Sequence, residues 1–159
     1  MKKTIILSTV IGSLFFMSCS EEAVNPTNPN APEVKVEKGI SERLEGTWSE
    51  TSLTVEPAIK IGDFTTKNPF EFKKDCEKDD LMILKPGNQL QIDPGALTCE
   101  NDPNMPAPGS WEVHEDRNEL IMDGVKYQIA ELNDSEVRLN FEKTMNQVKY
   151  TFTTTFARK

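Results

Sequence analysis

Toward the C-terminus, apolar and polar residues alternate with a period of two. Val125, Tyr127 and Ile129 alternate with Lys126 and Gln128. Val137, Leu139 and Phe141 alternate with Arg138, Asn140 and Glu142, and Val148, Tyr150, Phe152, Thr154 and Phe156 with Lys149, Thr151, Thr153 and Thr155. Successive side chains of a strand point to opposite faces, so each run predicts an antiparallel strand with one buried face. Shorter stretches read the same way: Gly46 to Glu56, Leu81 to Lys85, Gln89 to Asp93, Gly109 to His114 and Glu119 to Met122. The punctuation between them agrees. Asp123-Gly124 is a two-residue hairpin signal, Pro86-Gly87-Asn88 a tight turn, and Asp116-Arg117-Asn118 and Asn133-Asp134 are further turns. Eight strands with mostly short links predict an all-β fold, an up-and-down antiparallel barrel that closes on itself and leaves no edge exposed. A two-sheet β-sandwich is the alternative. No segment beyond the N-terminal run reads as a long helix. Ile40 to Glu45 predicts one helical turn with Ser41 as its N-cap, and the folded domain is expected from about Leu44 to Lys159.

The N-terminus carries another pattern. Lys2 and Lys3 precede an apolar run from Ile5 to Met17, interrupted by Ser8, Thr9, Gly12 and Ser13. A permanent membrane span needs ~20 apolar residues, which this run does not reach. A basic start, a short apolar core and small residues before a cleavage point describe a secretory signal peptide. The run ends in Leu14-Phe15-Phe16-Met17-Ser18-Cys19, which resembles the lipobox of bacterial lipoproteins. Ser18 suits the small position of that motif, while Met17 and Phe16 depart from the usual residues. The resemblance implies that residues 1–18 are removed, that Cys19 receives a diacylglyceryl group on its sulfur, and that its new amine takes a fatty acid such as palmitate. Two or more acyl chains anchor a protein stably to a membrane. Ser20-Glu21-Glu22 resembles the surface-export signal of Gram-negative lipoproteins displayed on the outer leaflet. The expected location is therefore the outer membrane, lipid-anchored at the cell surface, with a periplasm-facing position as the alternative.

Residues 19–43 read as a tether. Asn25-Pro26-Thr27-Asn28-Pro29-Asn30-Ala31-Pro32 has no apolar periodicity, and its prolines favour an extended, semi-stiff chain. Loss of Lys2 and Lys3 with the signal peptide deepens the formal charge from −8 to −10. Phosphate binding needs a basic surface, so this balance argues against nucleic acid as a partner. The remaining length suits one domain.

Leu44-Glu45-Gly46-Thr47-Trp48 resembles the G-x-W start of lipocalins. In that family the Trp closes the barrel floor and stacks on an Arg beyond the last strand, a place that Arg158 fills here. Asp75-Cys76, Cys99 and Gly109-Ser110-Trp111 match, in order, motifs of the lipocalin-like domains of secreted bacterial lipoproteins. The resemblance spans Leu44 to Lys159 and implies a fold more than a ligand. Trp48 is out of phase with Leu53 and Val55, so the first strand needs a bulge or a change of face.

An oxidising compartment and an even count of remaining cysteines favour a Cys76–Cys99 disulfide, worth about 3 kcal/mol through loop-closure entropy. A zinc site lacks ligands, because His114 is the only histidine and there is no second cysteine pair. Asp75, Glu77, Asp79 and Asp80 surround Cys76, and Glu100 and Asp102 follow Cys99. Such oxygen-rich clusters can take calcium, but the spacing fits no EF-hand loop and reads as a solvated acidic rim. His114 alternates with Trp111 and Val113 and is expected to face solvent. No nucleophile elbow, phosphate-cradling glycine loop or paired-carboxylate motif is present, which points away from an enzyme and from a cofactor. Two functions remain. A binding module would take a small apolar or amphipathic ligand in the barrel mouth, with Trp111, Tyr127, Phe141, Tyr150 and Phe152 as candidate contacts. A structural or accessory surface protein would fill the barrel with its own side chains.

Overall fold

The computed structural model describes residues 38–100 and 107–159. The expected signal peptide, Cys19, the acidic pair after it, the proline-rich segment expected to be a tether and Asp102 lie outside the described residues. The described chain opens with a short helix, α1 (Ile40–Leu44), and continues as β1 (Gly46–Glu56), β2 (Ile59–Ile61) and β3 (Phe64–Thr66). A 3₁₀ turn over Pro69–Phe72 and a single-turn helix, α2 (Asp75–Lys78), follow. The remaining strands are β4 (Leu81–Lys85), β5 (Gln89–Asp93), β6 (Gly109–His114), β7 (Glu119–Met122), β8 (Val125–Leu132), β9 (Glu136–Met145) and β10 (Val148–Arg158).

Strands β1 and β4 to β10 form a closed antiparallel barrel in chain order, with β10 paired back onto β1 and β4 onto its other edge. This is the up-and-down barrel that the alternation predicts, and it excludes the sandwich. Most outward positions are polar, Ile83 and Ile121 being apolar exceptions: Lys126, Gln128, Arg138, Asn140, Glu142 and Thr151 stand opposite the buried set. Ion pairs such as Arg138–Glu131 at 3.0 Å and Lys149–Glu142 at 2.8 Å lie on this face. A barrel that spans a bilayer shows the reverse pattern. The outer face thus suits water.

Two bulges reconcile the side-chain phases with the barrel. Between Glu50 and Ser52 the register of β1 against β10 slips by one residue. Trp48 and Glu50 face inward before the slip, and Leu53 and Val55 after it, so the out-of-phase Trp48 is resolved by a bulge at Thr51. A second slip in β8, between Ile129 and Glu131, returns Leu132 to the inside while Glu131 meets Arg138 outside. The first was anticipated from the phase conflict. The second was not, because Ile129-Ala130-Glu131-Leu132 reads equally well as the end of a strand.

The insertion between β1 and β4 departs from expectation. Its hairpin, β2–β3, stands outside the barrel as a separate two-stranded sheet. Three-residue strands leave too little alternation to read. At the N-terminus, α1 begins at Ile40, so Gly39 and not Ser41 occupies the N-cap, and no side chain caps it. Ser41 lies within the helix, where its backbone N–H points toward Glu115 Oε1 at 3.4 Å. The helix starts early because Ile40 packs against the core along with Leu44. The packed fold therefore takes in the residues just ahead of Leu44.

Candidate functional site

The two ends of the barrel differ. At the floor, Leu44, Trp48, Leu84, Leu120, Val137 and Leu139 are almost wholly buried. The Trp48 indole N–H donates to the Leu44 carbonyl at 2.7 Å. The Arg158 guanidinium lies over the Trp48 ring, 4.1 Å from its centroid. Its Nε donates to the Asp134 carbonyl at 2.8 Å, Nη1 to Glu45 at 2.9 Å, and Nη2 to Arg43. One side chain thus ties α1, β1, the β8–β9 turn and the end of β10 together. Gly46 makes room for it. A Cβ at that position would stand 2.5 Å from Arg158 Nη1, and the φ of +137° is itself one that glycine tolerates and other residues avoid.

The mouth at the other end holds a cavity of about 470 Å³, within the ~300–1,000 Å³ range of small-molecule sites. Its apolar wall comes from Met82, Leu90, Ile92, Met122, Val125 and Phe156. Its polar groups are Glu50, Lys73, Glu77, Asp80, Asp123 and the Tyr127 hydroxyl end. Glu50 is the inward residue just before the β1 bulge. Thr154 Oγ1 donates to its Oε1 at 2.8 Å, and Lys73 Nζ pairs with its Oε2. Lys73 reaches it from the insertion, directly after the 3₁₀ turn, and its ammonium also lies 5.9 Å from the centre of the Phe70 ring. Burial, reinforced by the charges of Glu50 and Asp123, raises the Tyr127 phenol above its usual range, so it stays protonated well into alkaline solution.

The insertion is fastened over this end by several ties. The Val55 amide donates to the Lys67 carbonyl at 2.9 Å, and Lys67 pairs with Glu56 at 2.7 Å. Cys76 and Cys99 are joined as a disulfide, with Cα atoms 5.3 Å apart. Asp79 Oδ2 accepts the amides of Ala96 and Leu97, both at 2.8 Å. Asp79 therefore serves as an internal cap for the loop after β5, where a solvated rim residue was expected. Asp75, Glu77 and Glu100 do remain exposed. Among the described residues, no three His, Cys, Asp or Glu side chains gather as a metal site.

Of the expected ligand contacts, the structure brings three into one ladder. Tyr127 meets Phe141 edge-on at 5.2 Å, and Phe141 stacks on Phe152 at 4.9 Å. Tyr127 lines the mouth cavity directly. Tyr150 is half-buried at the outer end of β10, across from Lys143. Trp111 is not part of the mouth. It is 2 % exposed within the core, and its indole N–H donates to the Lys85 carbonyl at 3.0 Å. The β4–β5 turn draws it there, because β6 continues past the end of β5 and places Trp111 beside Asn88. His114 lies on the outer face next to Glu112, 3.5 Å away. Sequence reasoning missed Glu50 and Lys73. A charged residue at an inward strand position was the available signal for Glu50, once the bulge is allowed for. Nothing local marks Lys73. No protein-family model matches the chain, and neither does the sequence of any curated protein.

Proposed function

We propose that this chain is a bacterial lipoprotein, anchored outside the cytoplasm through Cys19, whose lipocalin-like barrel binds a small apolar or amphipathic molecule in its mouth. The observation that carries the binding reading is the half-apolar cavity at the mouth, set above a floor already filled by Trp48 and its neighbours. A ligand entering there would bury its apolar part against Met82, Ile92, Met122 and Phe156 and leave its polar end beside Glu50 and Lys73. Burying apolar area yields ~25 cal/mol per Å², and the polar groups set orientation. The Cys76–Cys99 disulfide fits an oxidising compartment, which supports export. The outer-membrane surface is the proposed location, on the strength of Ser20-Glu21-Glu22 after the lipidated cysteine.

Two measurements test the reading. Cys19→Ala should move the protein out of the membrane fraction and abolish labelling by radioactive palmitate. A mutant that stays membrane-bound and labelled sinks the anchor. For the mouth, an apolar dye that brightens on leaving water should bind the purified chain, and Ile92→Trp, which fills the cavity, should abolish that signal. A filled-core accessory protein is the second reading, favoured by the packed lower half of the barrel. A dye that ignores both proteins leaves that reading standing.

A further inference from the structure

The chemistry of the mouth narrows the class of ligand. This step rests on the reading of the mouth as a ligand site. Among the charged groups of its lining, the carboxylates of Glu50, Glu77 and Asp123 face one ammonium, Lys73. A hydrogen bond from a backbone amide, such as Ser110 N to Asp123 Oδ1 at 2.8 Å, fixes a carboxylate without cancelling its charge. The formal balance of these groups is therefore negative. An anionic head group entering this space would leave water for a half-enclosed region of its own sign, where Coulomb energies are several-fold larger than in bulk solvent. A carboxylate buried without a partner is costly on desolvation alone. A cation meets the opposite situation. It finds the Glu50 carboxylate and, in the same lining, the hydroxyl end of Tyr127.

The contact between Glu50 and Lys73 shows where such a cation would sit. Glu50 is 16 % exposed and lies inside the barrel, anchored from β10 by Thr154. Lys73 is not a barrel residue. It comes from the insertion on a four-carbon stem, and its ammonium is a compact charge that can swing away without disturbing a strand. The barrel thus offers a fixed carboxylate, and a movable lysine covers it. The ammonium of Lys73 sits on Glu50 as the ammonium of a ligand would. We propose that the mouth takes alkyl amines, molecules with an apolar chain and a positively charged amine head, and that Lys73 holds the place of that amine on Glu50 until one binds.

Three ligands of one chain length test this on the purified full chain: decylamine, decanol and decanoate, each titrated calorimetrically below its micelle concentration at neutral pH. The amine should bind at least about tenfold more tightly than the acid, with the alcohol between them, and the gap should shrink as salt screens the charges. Lys73→Met removes the competing ammonium and should raise amine affinity about five- to tenfold. Glu50→Gln should lower it by a similar factor. A merely structural ion pair would weaken binding in both variants, so the opposite signs separate the two roles. Melting curves establish that each variant is folded. If Glu50→Gln unfolds, the ligand series and Lys73→Met still decide. Decanoate or decanol binding as tightly as the amine overturns the proposal and leaves the mouth a binding site of another class. Weaker amine binding by Lys73→Met overturns the place-holding role. Failure of all three ligands to bind overturns the proposal together with the binding reading beneath it.

Discussion

The floor and the mouth of this barrel both contain a charged side chain, held in different ways. At the floor, Arg158 spends its donors on the backbone carbonyls of Arg43, Glu45 and Asp134 and lies over the Trp48 ring. These carbonyls belong to α1, its C-cap and the β8–β9 turn, backbone that cannot rotate away as a side chain can, so these contacts are fixed when the barrel closes. At the mouth, Glu50 is held by side chains, the Thr154 hydroxyl and the Lys73 ammonium. Lys73 belongs to a long excursion of the chain outside the barrel and is 30 % exposed. The comparison teaches that one fold can lock one charge and leave another exchangeable. The partner's own freedom makes the difference, together with the openness of the mouth to water.

The largest expected effect tests the floor. Trp48→Ala removes a wholly buried indole, and such truncations cost ~3–5 kcal/mol. Urea unfolding should show a loss of this size. A loss below ~1 kcal/mol would mean that the floor does not hold the barrel shut. Next comes the tie across the mouth. Replacing both Cys76 and Cys99 by Ser opens a link between residues 23 positions apart, worth about 3 kcal/mol by loop-closure entropy. Thermal melting should register it, and dye binding at the mouth should weaken alongside. A mouth that binds dye unchanged would show that the insertion needs no fastening.

Smaller effects sharpen the contrast. Arg158→Ala should cost about 2 kcal/mol through lost charge-assisted hydrogen bonds. Combined with Trp48→Ala, the double variant should cost ~0.5–1 kcal/mol less than the sum, because the stacked pair can be lost only once. Strict additivity in that cycle would separate the two residues energetically. Lys73→Met should cost only about 1 kcal/mol, since its charge is partly in water. A loss equal to that of Arg158→Ala would erase the distinction between locked and exchangeable. The smallest effect is alkaline. Tyr127 has a raised pKa in the folded state, so above its unfolded value of about 10 the unfolded chain releases a proton that the folded chain keeps. The stability due to this group is intact below pH ~10 and is lost as the pH rises through the folded value. Tyr127→Phe should flatten that decline in pH-dependent unfolding. An unchanged alkaline limb would mean that burial and the charges of Glu50 and Asp123 do not act on this phenol.

Much of the architecture was legible because β-structure writes itself into local pattern. Val137, Leu139 and Phe141 alternate with polar partners, and in the structure they face the interior while their neighbours face water. Asp123-Gly124 announced a hairpin, and both residues have positive φ there. Even the bulge in β1 was foreshadowed, because Trp48 and Val55 cannot share a face of a regular strand. The floor followed from the spacing of Gly46, Trp48 and Arg158 seen against the lipocalin pattern, which placed the first and last strands side by side. Trp111 was misplaced for an instructive reason. Its inward phase was correct, but phase along a strand does not say how high in a barrel a residue sits. That height depends on the stagger between neighbouring strands.

The sequence by itself determined the eight barrel strands, most of their turns and their inward faces, and with the count of eight and short links it favoured a closed barrel over a sandwich. These properties rest on contacts between near neighbours in the chain, on a period of two and on the backbone demands of a few turn residues. Only the tertiary structure decided that β2–β3 stays outside the sheet, that Asp79 caps a distant loop, and that Lys73 reaches Glu50 from across the insertion. Those contacts join segments whose spacing carries no repeating pattern. They depend on where a long connection lies once the barrel has closed and on the space left above a floor filled by Trp48. A mouth is what the packed side chains do not fill, and no local run of residues encodes that remainder.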